Sequence, residues 1–285
     1  MDDQAVHGQN IAAHVNYYAT PCAIQAARRA RNIKARSDVR KGMEISVVDA
    51  LQSPDATVRN RAALALGAEP DPSFAEAQVA AMLVEPEPFA LETMIWAIVA
   101  NQDATLPVLV TALAEPRNDA ERILHALSKI GDPTTVDVIR PFASHNNPFY
   151  SGKAWWALAR IGDLDAIDDL LTHLGTADTF SRESLTRALA FWGPKAAPKI
   201  IESLQTTDDA AARRHATEIL VKIADPDDRG TVARRNHSME PGVLAAIDAL
   251  TNSQLPEVEE TLRLLSTDPD HISIAKTAAD ILANR

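Results

Sequence analysis

Trp156 stands three residues after Lys153 and four before Arg160. On a helix that spacing sets one cation a turn to either side of the indole. Lysine or arginine beside an indole face gains cation–π attraction, and a tryptophan ringed by cations is a common anchor of binding hot spots. The chemistry this suggests is recognition: a groove for an acidic or aromatic-rich peptide, or for another anionic ligand. The plainer reading has Trp156 leaning on a neighbouring helix, with the cations on an ordinary solvated face beside Glu121 and Glu183.

Catalytic or metal chemistry is harder to assemble. Of the eight histidines, His7 and His14 would share a helix face, but neither has a carboxylate or cysteine at ligand spacing, and there is no His-Glu-x-x-His. Cys22 has no second thiol to pair with, and a buried structural role suits it. Nucleophile elbow, P-loop and dinucleotide fingerprint are all missing. The expectation is a chain that is no enzyme, with no catalytic residue, no metal ligand and no cofactor.

The elements that must position Trp156 follow from composition and period. Apolar residues make up 46% of the 285 residues but aromatics only 5%, and alanine and leucine dominate, which favours helices. The Met-Asp-Asp-Gln start lacks the basic and apolar stretches of a secretion signal, and no apolar run reaches the roughly 18 residues of a membrane span. With a single cysteine, a cytoplasmic location is expected. The net charge of −11 disfavours nucleic acid as a partner. That charge is uneven: residues 21–42 hold Arg28, Arg29, Arg31, Lys34, Arg36, Arg40 and Lys41 against the single acid Asp38. Such a basic helix could touch nucleic acid or an anionic membrane, but more often it is a solvated face or docks on the chain's own acids.

Four segments align without gaps: A-L-S-K-I-G-D (126–132), A-L-A-R-I-G-D (157–163), A-L-A-F-W-G-P (188–194) and I-L-V-K-I-A-D (219–225). Leu127, Leu158, Leu189 and Leu220 are spaced 31 apart, as are Gly131, Gly162, Gly193 and Ala224. Trp96 and Leu66-Gly67 supply earlier copies, and Leu250 and Leu282 are expected to continue the series. In the fourth unit, 134–143 reads as a first helix, Asn146-Asn147-Pro148 as a turn, 149–161 as a second helix, and Gly162 as its left-handed cap. Asp132 and Asp163 are placed to cap the next unit's first helix, and Pro107, Pro133, Pro194, Pro226 and Pro256 to link units. One hairpin cannot bury its own apolar face, so neighbours must stack.

A helix opening on Val-Arg, followed by A-L-x-x-I-G-D, resembles the short HEAT-like repeats of phycobilisome lyase subunits and many bacterial proteins. V-R-N-R-A-A-L-A-L-G (58–67) is the nearest copy, with Arg182 and Arg213 at the same arginine position later. The resemblance covers residues 43–285. It implies an all-α fold: an α-solenoid of about seven HEAT-like hairpins wound into a right-handed superhelix, with residues 1–42 as an N-terminal basic helical cap. It says little about function, because such repeats serve scaffolds, lyases and regulators alike. The four His-Glu dipeptides of HEAT-type hydroxylases are missing here.

In solenoids of this type the second helices line the concave side. Counting from each repeat leucine at 100° per residue, the outward position −2 holds His125, Trp156, Arg187 and Glu218. Its flanks hold Arg122, Lys153, Ser184 and His215 at −5, and Lys129, Arg160, Phe191 and Lys222 at +2. The expected binding set is therefore Trp156, Arg160, Lys153, His125, Arg187 and Lys129, while Trp155, Trp192, Trp96, Phe142 and Phe191 read as core. The function expected is a non-catalytic scaffold or adaptor for a protein or peptide, acidic ones included. The alternatives are a DNA-interacting HEAT-like glycosylase-type enzyme and a regulatory subunit of a lyase-type enzyme.

Overall fold

The computed structural model describes residues 46–115, 119–225 and 240–285. The basic segment 28–41, the expected cap 1–42, Cys22, His7, His14 and Pro226 lie outside them. Every regular element among the described residues is helical. The chain divides into two compact units, Met1–Ile130 and Gly131–Arg285.

In the first unit the described helices are α1 (Val47–Leu51), α2 (Ala56–Ala68), α3 (Ala75–Val84), α4 (Pro88–Ala100), α5 (Gln102–Ala114) and α6 (Ala120–Ile130). They form three hairpins in two layers: α1, α3 and α5 pack side by side, and so do α2, α4 and α6. Some of the starts have a local cause. Asp55 accepts a hydrogen bond from the Thr57 N–H at 2.8 Å, and Pro88 occupies the first turn of α4, where no amide donor is needed. α4 and α5 meet at a 115° bend on Asn101, whose Nδ2 donates to Gln78 Oε1 at 2.8 Å and to the Asp71 carbonyl at 3.0 Å. No single helix among the described residues is long and apolar enough to cross a membrane.

The second unit opens with α7 (Val136–Ile139), framed by 3-10 turns at Pro133–Thr135 and Arg140–Ser144. It continues through α8 (Pro148–Ile161), α9 (Ala166–Leu171), α10 (Thr179–Trp192), α11 (Ala197–Thr206), α12 (Ala210–Ala224), α13 (Pro241–Asn252), α14 (Pro256–Ser266) and α15 (Ile272–Ala283). The second helices α8, α10, α12 and α14 stack on one another; α9, α11, α13 and α15 form the other layer. With the first unit this makes seven hairpins and one further helix among the described residues. Leu127 in the first unit and Leu158, Leu189 and Leu220 in the second are all fully buried, one per second helix, and within the second unit the 31-residue period is the period of the packed seam.

The glycine and aspartate punctuation works as expected at some units and not at others. Gly162 takes φ +86° and its N–H returns to Leu158 and Ala159, while the Asp163 N–H also reaches Leu158, closing a Schellman cap. Asp132 caps the following turn by accepting from the Thr134 N–H at 2.8 Å. Asp163 does not cap; its Oδ2 pairs with Arg140 Nη2 at 2.6 Å. Gly67 is no cap either, because α2 runs through it. A side chain there would meet the Trp96 ring, with an added Cβ 2.0 Å from Cζ3.

Three further expectations are corrected. The first helix expected over 134–143 breaks into 3-10 turn, α-helix and 3-10 turn, since Pro141 has no N–H to continue an α ladder. Pro107 does not link units but lies inside α5. Leu250 and Leu282 do not extend the series of second helices: α13, which carries Leu250, packs beside α11 in the first layer. The interval from α12 at Ala224 to α13 at Pro241 is longer than any step between earlier hairpins, so a fixed 31-residue count slips by one helix there.

Candidate functional site

Trp156 and Arg160 come from α8; Arg187 and Phe191 come from its neighbour α10. The pairing depends on how tightly these helices approach. Gly152 on α8 has Ser184 and Phe180 of α10 against its α-carbon, with Ser184 Oγ 2.9 Å from where a Cβ would stand. At that spacing residues from the two helices interleave. Arg187 Cζ lies over the Trp156 ring, 4.3 Å from its centroid, and the Trp156 and Phe191 rings meet edge to face at 5.1 Å and 68°. Arg160 reaches over Phe191 at 5.9 Å. Trp156, Arg187 and Phe191 are each half-buried, and Arg160 is exposed. Lys153, one turn before Trp156, is half-buried on the same helix.

Four of the six expected site residues thus belong to one pair of helices. Trp156, Arg160 and Arg187 are joined through Phe191, which was expected to be core. The other two, His125 and Lys129, belong to α6 in the first unit. His125 is not on an outward face: it is 7% exposed, and its Nε2 pairs with Glu92 Oε1 of α4 at 2.9 Å. Lys129, in the last turn of α6, is half-buried.

Three of the four −5 positions are taken up by packing and do not form an outward flank. Ser184 sits against Gly152, and Arg122 Nη1 donates to the Met82 carbonyl at 2.8 Å. His215 is fully buried between α10 and α12. Its Nδ1 accepts the Gly175 N–H at 3.3 Å, so Nε2 carries the proton and donates to Thr186 Oγ1 at 2.8 Å. Burial, assisted by the nearby positive charge of Arg182, pushes the His215 pKa down to about 3. The ring is a neutral pin, not a surface cation.

The arginines of the Val-Arg position tie one hairpin to the next. Arg59 binds Glu85 through Nε–Oε2 and Nη2–Oε1, both 2.6 Å, while its Nη1 donates to the Ser53 carbonyl at 2.8 Å. Glu85 is almost fully buried. Burial alone would raise its pKa, but the hydrogen bonds from Arg59 and the Glu87 N–H, with the charges of Arg59 and Arg122, hold it below the usual carboxylate value. Arg182 pairs with Glu218 at 2.6 Å, and Arg213 with Glu257 at 3.4 Å while also donating to the Thr207 carbonyl. The sequence marked these arginines by position, though their acidic partners fall at irregular separations.

Residues 106–190 match the family model for HEAT repeats. The chain carries HEAT repeats. The matched stretch includes α8 and most of α10, so Trp156 and Arg187 are carried on HEAT helices. Among solved structures, the chain is similar to the complex of CpcE and CpcF of phycocyanin lyase from Nostoc sp. PCC7120, with 18% identity over 86% of this chain and 96% of that one, at a TM-score of 0.39. An engineered protein is 21% identical over 84% of this chain and 94% of that one, at a TM-score of 0.44. Human deoxyhypusine hydroxylase is 18% identical over 92% of this chain and 99% of that one, at a TM-score of 0.36. No curated protein matches the chain. Among the described residues no three His, Cys, Asp or Glu side chains gather as metal ligands would.

Proposed function

We propose that this HEAT-repeat protein is a non-catalytic, cytoplasmic scaffold or adaptor that binds a protein or peptide on the second-layer face carrying Trp156. HEAT repeats generally mediate protein binding. The single observation that carries the reading is the cluster of Trp156, Arg187, Phe191 and Arg160 on α8 and α10. Two half-buried aromatic rings in edge-to-face contact, each with a guanidinium over it, form an amphipathic anchor of the kind that dominates protein interfaces. Both side-chain classes lose little freedom on binding, because the rings and guanidinium groups already hold one another.

The test is comparative affinity purification with the wild-type chain and the Trp156→Ala/Arg160→Glu double variant. Partners recovered by the wild type and lost from the variant support the reading; identical partner sets from both proteins reject it.

A further inference from the structure

We infer that the groove between α13 and α15 docks a basic peptide segment, one that sets a lysine or arginine beside an aliphatic residue. The site lies on other helices than the Trp156 face, so either reading can fail alone. The groove holds a cavity of about 590 Å³, and Ala224 and Asp225 at the end of α12 join its lining. Local packing explains the space. Ser273 and Thr277 face it from α15, one turn apart, and both are short. Asp225 holds them down: Ser273 Oγ donates to Asp225 Oδ1 at 2.5 Å, and Thr277 Oγ1 to the same oxygen at 3.4 Å. Neither can extend to fill the gap toward α13. The α13 wall is aliphatic, with Val243 buried, Ile247 half-buried and Leu244 48% exposed, and α15 adds the buried Ile281. Leu244 thus offers apolar surface at the mouth of an apolar groove, which is how docking sites differ from scattered surface leucines.

Charge identifies the occupant. The groove is lined by three carboxylates, Asp225, Asp248 and Asp280, and one ammonium, Lys276. Asp225 is buried and committed to the two hydroxyls, so it adds field and does not dock. Asp248 and Asp280 are exposed, one on each wall. Asp248 accepts from the neutral amide of Asn252 at 2.8 Å, and Asn284 bonds the backbone carbonyl of Asp280, so neither contact neutralises a carboxylate. The surroundings have the same sign: residues 240–285 carry eight Asp or Glu against Arg263, Lys276 and Arg285. Such a field draws in a cationic segment and repels phosphate backbones and anionic lipid. A basic side chain also matches the mixed lining, since its methylene stem can lie along Leu244 and Ile247 while its head meets the exposed carboxylates. An aliphatic neighbour in the peptide then covers the rest of the apolar wall.

The experiment selects a random-peptide display library on the full chain at physiological salt, with counter-selection on the Asp248→Asn/Asp280→Asn variant. Selected peptides are then titrated by fluorescence anisotropy. The substituted side chains are exposed, and thermal melting verifies that each variant folds. The expected peptides carry Lys or Arg next to Leu, Ile or Val. Their affinity should fall about tenfold or more in Asp248→Asn/Asp280→Asn and severalfold in Leu244→Ser. It should rise severalfold in Lys276→Gln, a gain that damage to the fold would not produce. The Trp156→Ala/Arg160→Glu variant should bind them as the wild type does. Failure to enrich basic peptides, or equal binding by the wild type and the Asp248→Asn/Asp280→Asn variant, overturns the inference and leaves the Trp156 reading untouched. Loss of binding in Trp156→Ala/Arg160→Glu overturns it by moving the site to the other face. Indifference to Leu244→Ser overturns it by reducing the groove to unspecific charge. Tighter binding of hexylammonium than of any selected peptide, measured by competition, overturns it in favour of a small amine.

Discussion

Arg187 of α10 lies over the indole of Trp156 on α8, its Cζ 4.3 Å from the ring centroid. The contact crosses from one hairpin to the next, so it both stiffens the face and helps join the repeats. Replacing Arg187 by Gln should cost about 0.5–1 kcal/mol in stability, the usual value of a partly exposed cation–π pair. Urea unfolding of the two proteins checks this. A loss several times larger would mean that Arg187 serves packing more than recognition.

The Arg59–Glu85 pair predicts an asymmetry. Arg59→Met leaves the Glu85 carboxylate buried without its fork and should destabilise the chain by about 3–5 kcal/mol. The double change Arg59→Met/Glu85→Met removes the stranded charge and should recover most of that loss. Denaturant midpoints of both variants decide the point. Equal destabilisation by single and double changes would locate the energy elsewhere, in the Arg59 bonds to the Ser53 and Pro54 carbonyls.

His215 predicts acid sensitivity with a definite sign. Its folded pKa, about 3, lies below the ordinary value of 6.5, so the neutral ring is the form that folding favours. That contribution is complete above about pH 6.5 and is lost progressively as pH falls toward 3. Near pH 5 the loss is about 2 kcal/mol, from a unit and a half of pH at about 1.4 kcal/mol each. Replacing His215 by Gln should lower stability at neutral pH and flatten the decline between neutrality and about pH 5 relative to wild type. Unfolding midpoints of both proteins across that range measure it; parallel declines would show that another group is responsible.

Two glycine-to-alanine changes should be harmful for different reasons. At Gly67 the backbone is helical, where alanine normally gains about 1 kcal/mol, but its Cβ would stand 2.0 Å from the Trp96 ring. Overpacking should win, costing a net 1–3 kcal/mol or so, and Trp96→Leu in the same chain should relieve it. At Gly162 nothing lies within 4 Å of an added Cβ, yet φ is +86°. Alanine there should cost about 1–2 kcal/mol, and no neighbouring substitution should restore it. Thermal melts of the two single variants and the double variant separate steric from conformational cost.

The sequence alone determined the class of fold, the hairpin as its unit and the buried seam, because a packed helix pair writes its period into the chain as recurring leucines and cap residues. Leu127, Leu158, Leu189 and Leu220 could be read as core from spacing, and Gly162 as a cap from its place after the last apolar residue. Trp156 could likewise be placed on an outward-leaning helix face beside two cations. Only the tertiary structure decided which side chains meet across helices. The approach of α8 to α10 over Gly152 brought Phe191 and Arg187 to Trp156, while the seam between second helices took His215 inside and gave it a neutral role. His125 was claimed by Glu92 from α4. A helical wheel gives the direction of a side chain from its own axis, but the distance and tilt of the neighbouring axis decide whether that direction ends in solvent, on a ring or against a carboxylate.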